Sequence, residues 1–160
     1  MILYLDTSAF IKLYVDEAGA ELVRPMVAAA ALIHAHWIAY AEMRSALARL
    51  RRMGRQSAEA YREHKREFEA DWKALNAIMP DERMVRRAGD LAERFELRGY
   101  DSIHLAAAES LCVGQDTDLL CFASFDDRLN NAAADLGLRL LNPSSLFEPA
   151  RRNATSPRQY

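Results

Sequence analysis

An α/β domain on a mainly parallel sheet is the fold class this sequence predicts, and three observations predict it. Short apolar runs of strand length alternate with helical stretches along the chain. The clearest runs are apolar residue after residue, as in strands covered on both faces. The 160 residues, 51% hydrophobic and 28% charged, suffice for one sizeable core, and neither a repeat nor a long linker divides them.

The elements follow in order. Ile2–Leu5 reads as a buried strand ended by Asp6-Thr7-Ser8, with Thr7 or Ser8 capping a helix over 9–14. Residues 16–19 break that helix, 21–29 are helical again, and 31–36 form a second strand. From Ile38 the period changes. Met43, Leu47 and Leu50 recur at i, i+4 and i+7 and mark one helical face. Gly54 interrupts it, and Ser57 caps a helix running to about Leu75. Residues 76–79 are a short run ended by Pro80. A helix over 81–97 is stopped by Gly99, and an Ala-rich helix over 101–113 is stopped near Gly114. Residues 119–123 are the clearest later strand. Ser124 and Asp127 then have the spacing of a capping box for a helix reaching Leu136. A last strand over 138–141 closes at Asn142-Pro143. One domain over 1–148 and a flexible polar tail over 149–160 complete the division.

Composition excludes several classes. With 21 basic and 23 acidic residues the formal charge is −2, so net charge alone does not hold this chain on nucleic acid. Cys112 and Cys121 are too few for a disulfide framework or a four-ligand zinc site, and they suit a reducing cytoplasmic interior. No apolar run approaches the ~18 residues of a membrane span, and the N-terminus lacks a signal-peptide pattern.

Four acids stand out by position. In parallel sheets ligands bind outside the carboxyl ends of the strands. Asp6 and Asp126 sit at or just past two such ends. Glu42 borders the face carrying Met43 and Leu47, with small neighbours Ala39 and Ala46 at i−3 and i+4, and Asp101 begins a helix. Each alone has a structural explanation: an N-cap for Asp6, a solvated face for Glu42, a cap for Asp101, a first-turn acid for Asp126. Gathered in one pocket, they repel and raise one another's pKa values. A hard divalent cation such as Mg²⁺ or Mn²⁺, which prefers oxygen ligands, resolves that conflict.

The stretches Leu5-Asp6-Thr7-Ser8-Ala9-Phe10, Ala41-Glu42-Met43-Arg44-Ser45-Ala46-Leu47, Tyr100-Asp101-Ser102-Ile103-His104-Leu105-Ala106 and Ala123-Ser124-Phe125-Asp126-Asp127-Arg128-Leu129 occur in that order. They resemble the four acidic motifs of the PIN domain, and in particular VapC-type toxins of toxin–antitoxin pairs, over roughly residues 2 to 147. The fourth departs slightly, with Ser124 where the family usually has Thr. The resemblance implies a three-layer α/β/α domain with a short twisted parallel sheet. It implies a metal-dependent endoribonuclease in which Asp6, Glu42, Asp101 and Asp126 hold Mg²⁺ or Mn²⁺, with Ser8 and Ser124 supporting the site. Asp127 then serves as the capping acid. It further implies an RNA substrate, a homodimer, and a small VapB-like antitoxin that crosses the site. Residues 22–33 together with 9–14 could offer that antitoxin helix an apolar groove, or be core or dimer interface instead.

Between Arg44 and Arg66 stand eight basic and two acidic residues. This segment is either a phosphate-contacting surface, with Arg49, Arg51, Arg52 and Arg55 as its candidates, or a solvated helical face. His34, His36, His64 and His104 lack zinc-site spacing. His104, three residues after Asp101, reads as a hydrogen-bonded structural histidine near the site. Rival enzyme classes fit poorly. A dehalogenase-like aspartyl-phosphate site wants a second Asp where Ser8 stands. A receiver domain wants a Lys after a late strand, but the lysines are Lys12, Lys65 and Lys73. The glycines are too dispersed for a phosphate-binding loop. A catalytically inactive PIN-like RNA-binding or scaffold domain is the non-enzymatic alternative.

Overall fold

A computed structural model describes residues 1–112 and 119–141. Its centre is one five-stranded sheet, all parallel, in the order β3-β2-β1-β4-β5. The strands are β1 Ile2–Leu5, β2 Leu32–His36, β3 Asn76–Ile78, β4 Leu120–Ala123 and β5 Arg139–Leu140. Central β1 pairs on both edges, with Tyr4 opposite His34 on one side and Phe122 on the other. The helices are α1 Thr7–Phe10, continued by a 3-10 turn Ile11–Leu13, then α2 Ala20–Ala29, α3 Ile38–Arg52, α4 Ala58–Ala74, α5 Glu82–Phe95, α6 Gly99–Ser110 and α7 Asp127–Asp135.

Successive strand side chains point to opposite faces, so the short apolar runs feed two cores. Leu3, Leu5, Cys121 and Ala123 pack with Phe10, Val23, Met43, Leu47 and Phe68 from the α1–α4 side. Tyr4, Leu120 and Phe122 pack with Leu91, Leu105 and Leu129 from α5, α6 and α7. Burial on both faces is why β1 and β4 are apolar at every position, and helices on both faces give the three-layer arrangement that the resemblance implies. Met43, Leu47 and Leu50 are buried together, as their spacing requires.

Several local expectations are corrected. Residues 76–78 form an edge strand rather than a bare run, pairing His34 with Asn76 and His36 with Ile78. Helix α5 ends at Phe95, with Glu96 left-handed at φ 53°; Gly99 begins the next helix instead of stopping this one. Asp6, not Thr7 or Ser8, caps α1 by accepting from the Ala9 N–H at 2.9 Å. Asp126 caps α7 by accepting from the Leu129 N–H at 2.9 Å, so the Ser124–Asp127 box does not form. The Ser124 hydroxyl is already engaged, accepting from the Asp126 N–H and donating to Asp6. Asp101 lies in the first turn of α6, where Arg98 is the N-cap residue. The expected helix end at 113, the Gly114 stop, the Asn142-Pro143 boundary and the tail over 149–160 lie outside the described residues. Among the described residues no helix is long and apolar enough to cross a membrane.

Candidate functional site

The carboxyl ends of β1 and β4 open on a cavity of about 450 Å³ lined by Asp6, Glu42, Asp101 and Asp126. Four stretches far apart in sequence thus bring their acids to one place. Asp126 lines it and Asp127 does not.

Asp6 is placed most rigidly. Its Oδ1 accepts from the Ser8 hydroxyl at 2.7 Å and the Ala9 N–H at 2.9 Å, and its Oδ2 accepts from Ser124 at 2.9 Å. The two serines are held in turn: the Phe125 N–H donates to Ser8 at 2.7 Å and the Asp126 N–H donates to Ser124 at 3.0 Å. Both expected supporting serines therefore bond Asp6. Each carboxylate oxygen accepts about two bonds, so Oδ2 keeps one lone pair. Burial pushes the Asp6 carboxyl above its ordinary range, and its three donors and His104 only partly offset this.

Glu42 is held differently. Thr7 donates to Oε2 at 2.6 Å, and His104 Nε2 stands 2.8 Å from the same oxygen. Burial alone would raise this carboxyl, but the bonds from His104 and Thr7 bring it below its ordinary value. Asp101 and Asp126 share one cation. Arg98 places Nε 3.2 Å from Asp101 Oδ2 and Nη2 3.5 Å from Asp126 Oδ2, on a side chain 84% exposed. Burial still leaves Asp101 above its ordinary value, with Arg98 opposing and Asp126 adding to the rise.

The rim is basic and aromatic. Lys12, buried, donates to Glu17 at 2.8 Å and to the Ala18 carbonyl at 2.7 Å, and lies 4.2 Å from the centre of the Phe125 ring. Gly19, at φ +93°, lets that ring close in: a Cβ there would stand 2.2 Å from it. Of the four candidate RNA-contacting arginines, Arg49 and Arg55 line the cavity, while Arg51 and Arg52 are exposed on the α3 end and do not. Arg44 turns away to Glu69 at 2.7 Å. On the α1–α4 side, Leu13, Val27, Leu32 and Ile33 help line an apolar cavity of about 310 Å³.

Sequence reasoning missed Thr7 as a partner of Glu42, and Arg98 and Tyr4 altogether; it took His104 only as a structural residue. A signal was present for two of them. Arg98 and His104 stand three residues on either side of Asp101, the spacing that shares a helical face.

The donor set, carboxylates with hydroxyls beside them, has the hard oxygen chemistry of a Mg²⁺ or Mn²⁺ site. The Arg98 guanidinium stands between Asp101 and Asp126, where two carboxylates face one cationic group. Among the described residues, no three His, Cys, Asp or Glu groups close around a point that could hold a metal ion. The acids share a cavity without forming a finished coordination shell.

A family model described as PIN domain matches residues 3–135. Ribonuclease VapC45 of Mycobacterium tuberculosis (strain CDC 1551 / Oshkosh) is 32% identical over 139 residues, 87% of this chain and 94% of that protein. Ribonuclease VapC46 of Mycobacterium tuberculosis (strain ATCC 25618 / H37Rv) is 34% identical over 149 residues, 89% of this chain and 98% of that protein. Among solved structures, FitAcB from Neisseria gonorrhoeae superposes with a TM-score of 0.64 at 18% identity, covering 90% of this chain and 99% of that one. VapBC2 from Rickettsia felis, solved with a DNA fragment from the promoter, gives 0.59 at 13% identity, covering 88% and 97%. At those identities the structures speak for the fold alone.

Proposed function

This chain belongs to the PIN domain family, and on that footing we propose that it is the ribonuclease toxin of a toxin–antitoxin pair. It cleaves RNA phosphodiesters as a Mg²⁺- or Mn²⁺-dependent endoribonuclease, leaving 5′-phosphate and 3′-hydroxyl ends. The observation that carries this is the meeting of Asp6, Glu42, Asp101 and Asp126 in one cavity at the carboxyl end of the sheet. The relatives named as VapC ribonucleases support the activity.

Asp6 Oδ2, Asp101, Asp126 and Glu42 are the groups that hold the cation. When bound, it lowers the pKa of water and offsets charge developing on the phosphate. The protein's own part is positional. Ser8 and Ser124 hold Asp6 at the strand end and favour its charged form against burial. Thr7 and His104 keep Glu42 charged. Arg49 and Arg55 draw RNA phosphates to the cavity, with Arg51 and Arg52 extending the basic surface along α3.

A small VapB-like antitoxin partner, in keeping with relatives named VapC, and a homodimer acting in the cytoplasm complete the proposal. The apolar cavity lined by residues of α1, α2, α4 and β2 is where the antitoxin's helix docks.

The test is incubation of the purified chain with total RNA and Mn²⁺ or a chelator, followed by mapping of new ends. New 5′-phosphate ends that need Mn²⁺ and vanish in Asp101→Asn support the proposal. The unfinished coordination shell favours one second reading, an RNA-binding or scaffold domain. Binding of RNA with neither cleavage nor Mn²⁺ uptake would favour it.

A further inference from the structure

Behind Glu42 a row of hydrogen bonds runs into the core. Tyr4, fully buried in β1, stacks on Phe122 at 5.5 Å between ring centres and sets its hydroxyl 2.9 Å from His104 Nδ1. His104, 2% exposed on α6, presents its other nitrogen to Glu42 Oε2 at 2.8 Å. Thr7 donates to that same oxygen. Both ring nitrogens of a buried histidine are therefore spent on side chains, and the far end of the row is a site acid.

The protons in this row have one consistent arrangement for a neutral ring. A carboxylate only accepts, so Nε2 carries the hydrogen that lies between it and Oε2. Nδ1 is then bare and takes the Tyr4 hydrogen. A phenol keeps its hydrogen near neutral pH, so the hydroxyl can donate it. Both bonds to Glu42 fall on Oε2. Among the described residues no hydrogen bond engages Oε1.

We propose that Tyr4 and His104 are positioning residues: Tyr4 donates to Nδ1 and holds the His104 ring with Nε2–H aimed at Glu42, and His104 with Thr7 then fixes Glu42 with Oε2 engaged and Oε1 presented to a divalent cation. The cation's part presupposes the function proposed above; the tautomer does not. Groups that orient a metal's ligands in this way typically contribute ten- to a hundredfold in metal affinity. His36 offers a contrast in the same region. Its Nδ1 accepts from the Ile38 N–H at 3.0 Å and its buried Nε2 has no hydrogen-bond partner, so it makes no hydrogen bond to a site acid.

Two measurements test this. Nitrogen NMR of the histidine-labelled, metal-free chain is expected to show the neutral His104 ring protonated at Nε2 and bare at Nδ1, and Tyr4→Phe is expected to shift the Nδ1 resonance, which loses its donor, while Nε2 stays protonated. A neutral ring protonated at Nδ1 overturns the proposal, as does a Tyr4→Phe spectrum identical to wild type. Mn²⁺ titration is the second measurement, with thermal unfolding as the control for folding. Affinity is expected to fall severalfold in Tyr4→Phe and about ten- to a hundredfold in His104→Ala. His104→Gln, whose amide N–H takes the place of Nε2–H, is expected to restore much of it. Wild type that takes up no Mn²⁺ would overturn the metal reading of the site itself. Normal uptake by wild type with unchanged affinity in folded Tyr4→Phe and His104→Gln would overturn only the role given to the row.

Discussion

Glu42 and Asp6 line one cavity, yet their charges are kept in opposite ways. Glu42 accepts two strong bonds and sits below its ordinary pKa, so the fold favours it as a carboxylate. Asp6 accepts three bonds and still sits above its own, because the end of β1 is deeper and burial outweighs them. Asp101 shares the strain, with an exposed arginine as its main relief. One half of the site is thus built to be anionic by itself. The other half carries charge that the fold does not fully compensate, and that half is where a cation gains most.

The largest effect expected from breaking this contrast is on activity. Asp6→Asn keeps the cap and the Ser8 bond, reverses the Ser124 contact so that the amide donates, and removes the charge, and RNA cleavage is expected to fall to background. Cleavage near the parent level would contradict the assignment. Glu42→Gln is expected to lose cleavage as well, but with the opposite effect on the fold. The metal-free variant loses a carboxylate held by two strong bonds and should melt lower, by about 1–3 kcal/mol.

The same contrast sets the pH dependence of the metal-free chain. For Asp6 and Asp101, raised in the fold, the cost of charge is absent below their ordinary values and grows as pH rises through the folded ones. Glu42 runs the other way: its contribution is present above its ordinary value and lost as pH falls through the lower folded one. Stability is therefore expected to rise as pH falls through the raised folded values of Asp6 and Asp101 toward the ordinary carboxylate range, and to drop once pH falls through the lowered value of Glu42. Denaturant melts across that range check it, and a chain steadily less stable from pH 7 downward would contradict it. Saturating Mn²⁺ should remove most of the gain at the acidic side.

A smaller effect separates the arginines. Arg49→Glu with Arg55→Glu should raise the KM for RNA about tenfold and flatten its salt dependence, while Arg51→Glu with Arg52→Glu should raise it less. Equal effects would place RNA along the outer face of α3. The smallest belongs to Arg98→Ala. An exposed ion pair contributes little, so Mn²⁺ affinity is expected to change less than about threefold. A large loss would make Arg98 part of the working site.

Much of this was legible in the chain itself, for physical reasons. Strands covered on both faces announce themselves as unbroken apolar runs, which is how Ile2–Leu5 and the run at 119–123 were found. Asp6 and Asp126 stood out because a parallel sheet gathers function at its carboxyl ends. Strand β3 was missed because three residues opening on Asn76 at a sheet edge bury too little to leave a pattern. The sequence offers Thr7, Ser8 and Asp6 as caps for the first helix and a Ser124–Asp127 box for the last, because short polar residues compete for the same N–H groups. Only the folded positions show that Asp6 and Asp126 are the residues that cap, while Ser8 and Ser124 are spent on Asp6. Tyr4 and His104 looked like core residues and are core residues. What could not be read is that their polar ends meet across 100 positions and reach Glu42.

The central claim is that charge at the end of β1 is tolerated for the sake of a cation. Thermal melts of wild type and Asp6→Asn, each with excess Mn²⁺ and with a chelator, test it most directly. In chelator Asp6→Asn is expected to melt higher, by about 1 kcal/mol or roughly 3 °C. In Mn²⁺ the order reverses, because ion at 100 times its Kd stabilises the wild type by about 2.7 kcal/mol. The same order in both conditions, or a wild type that Mn²⁺ does not move, would contradict the account.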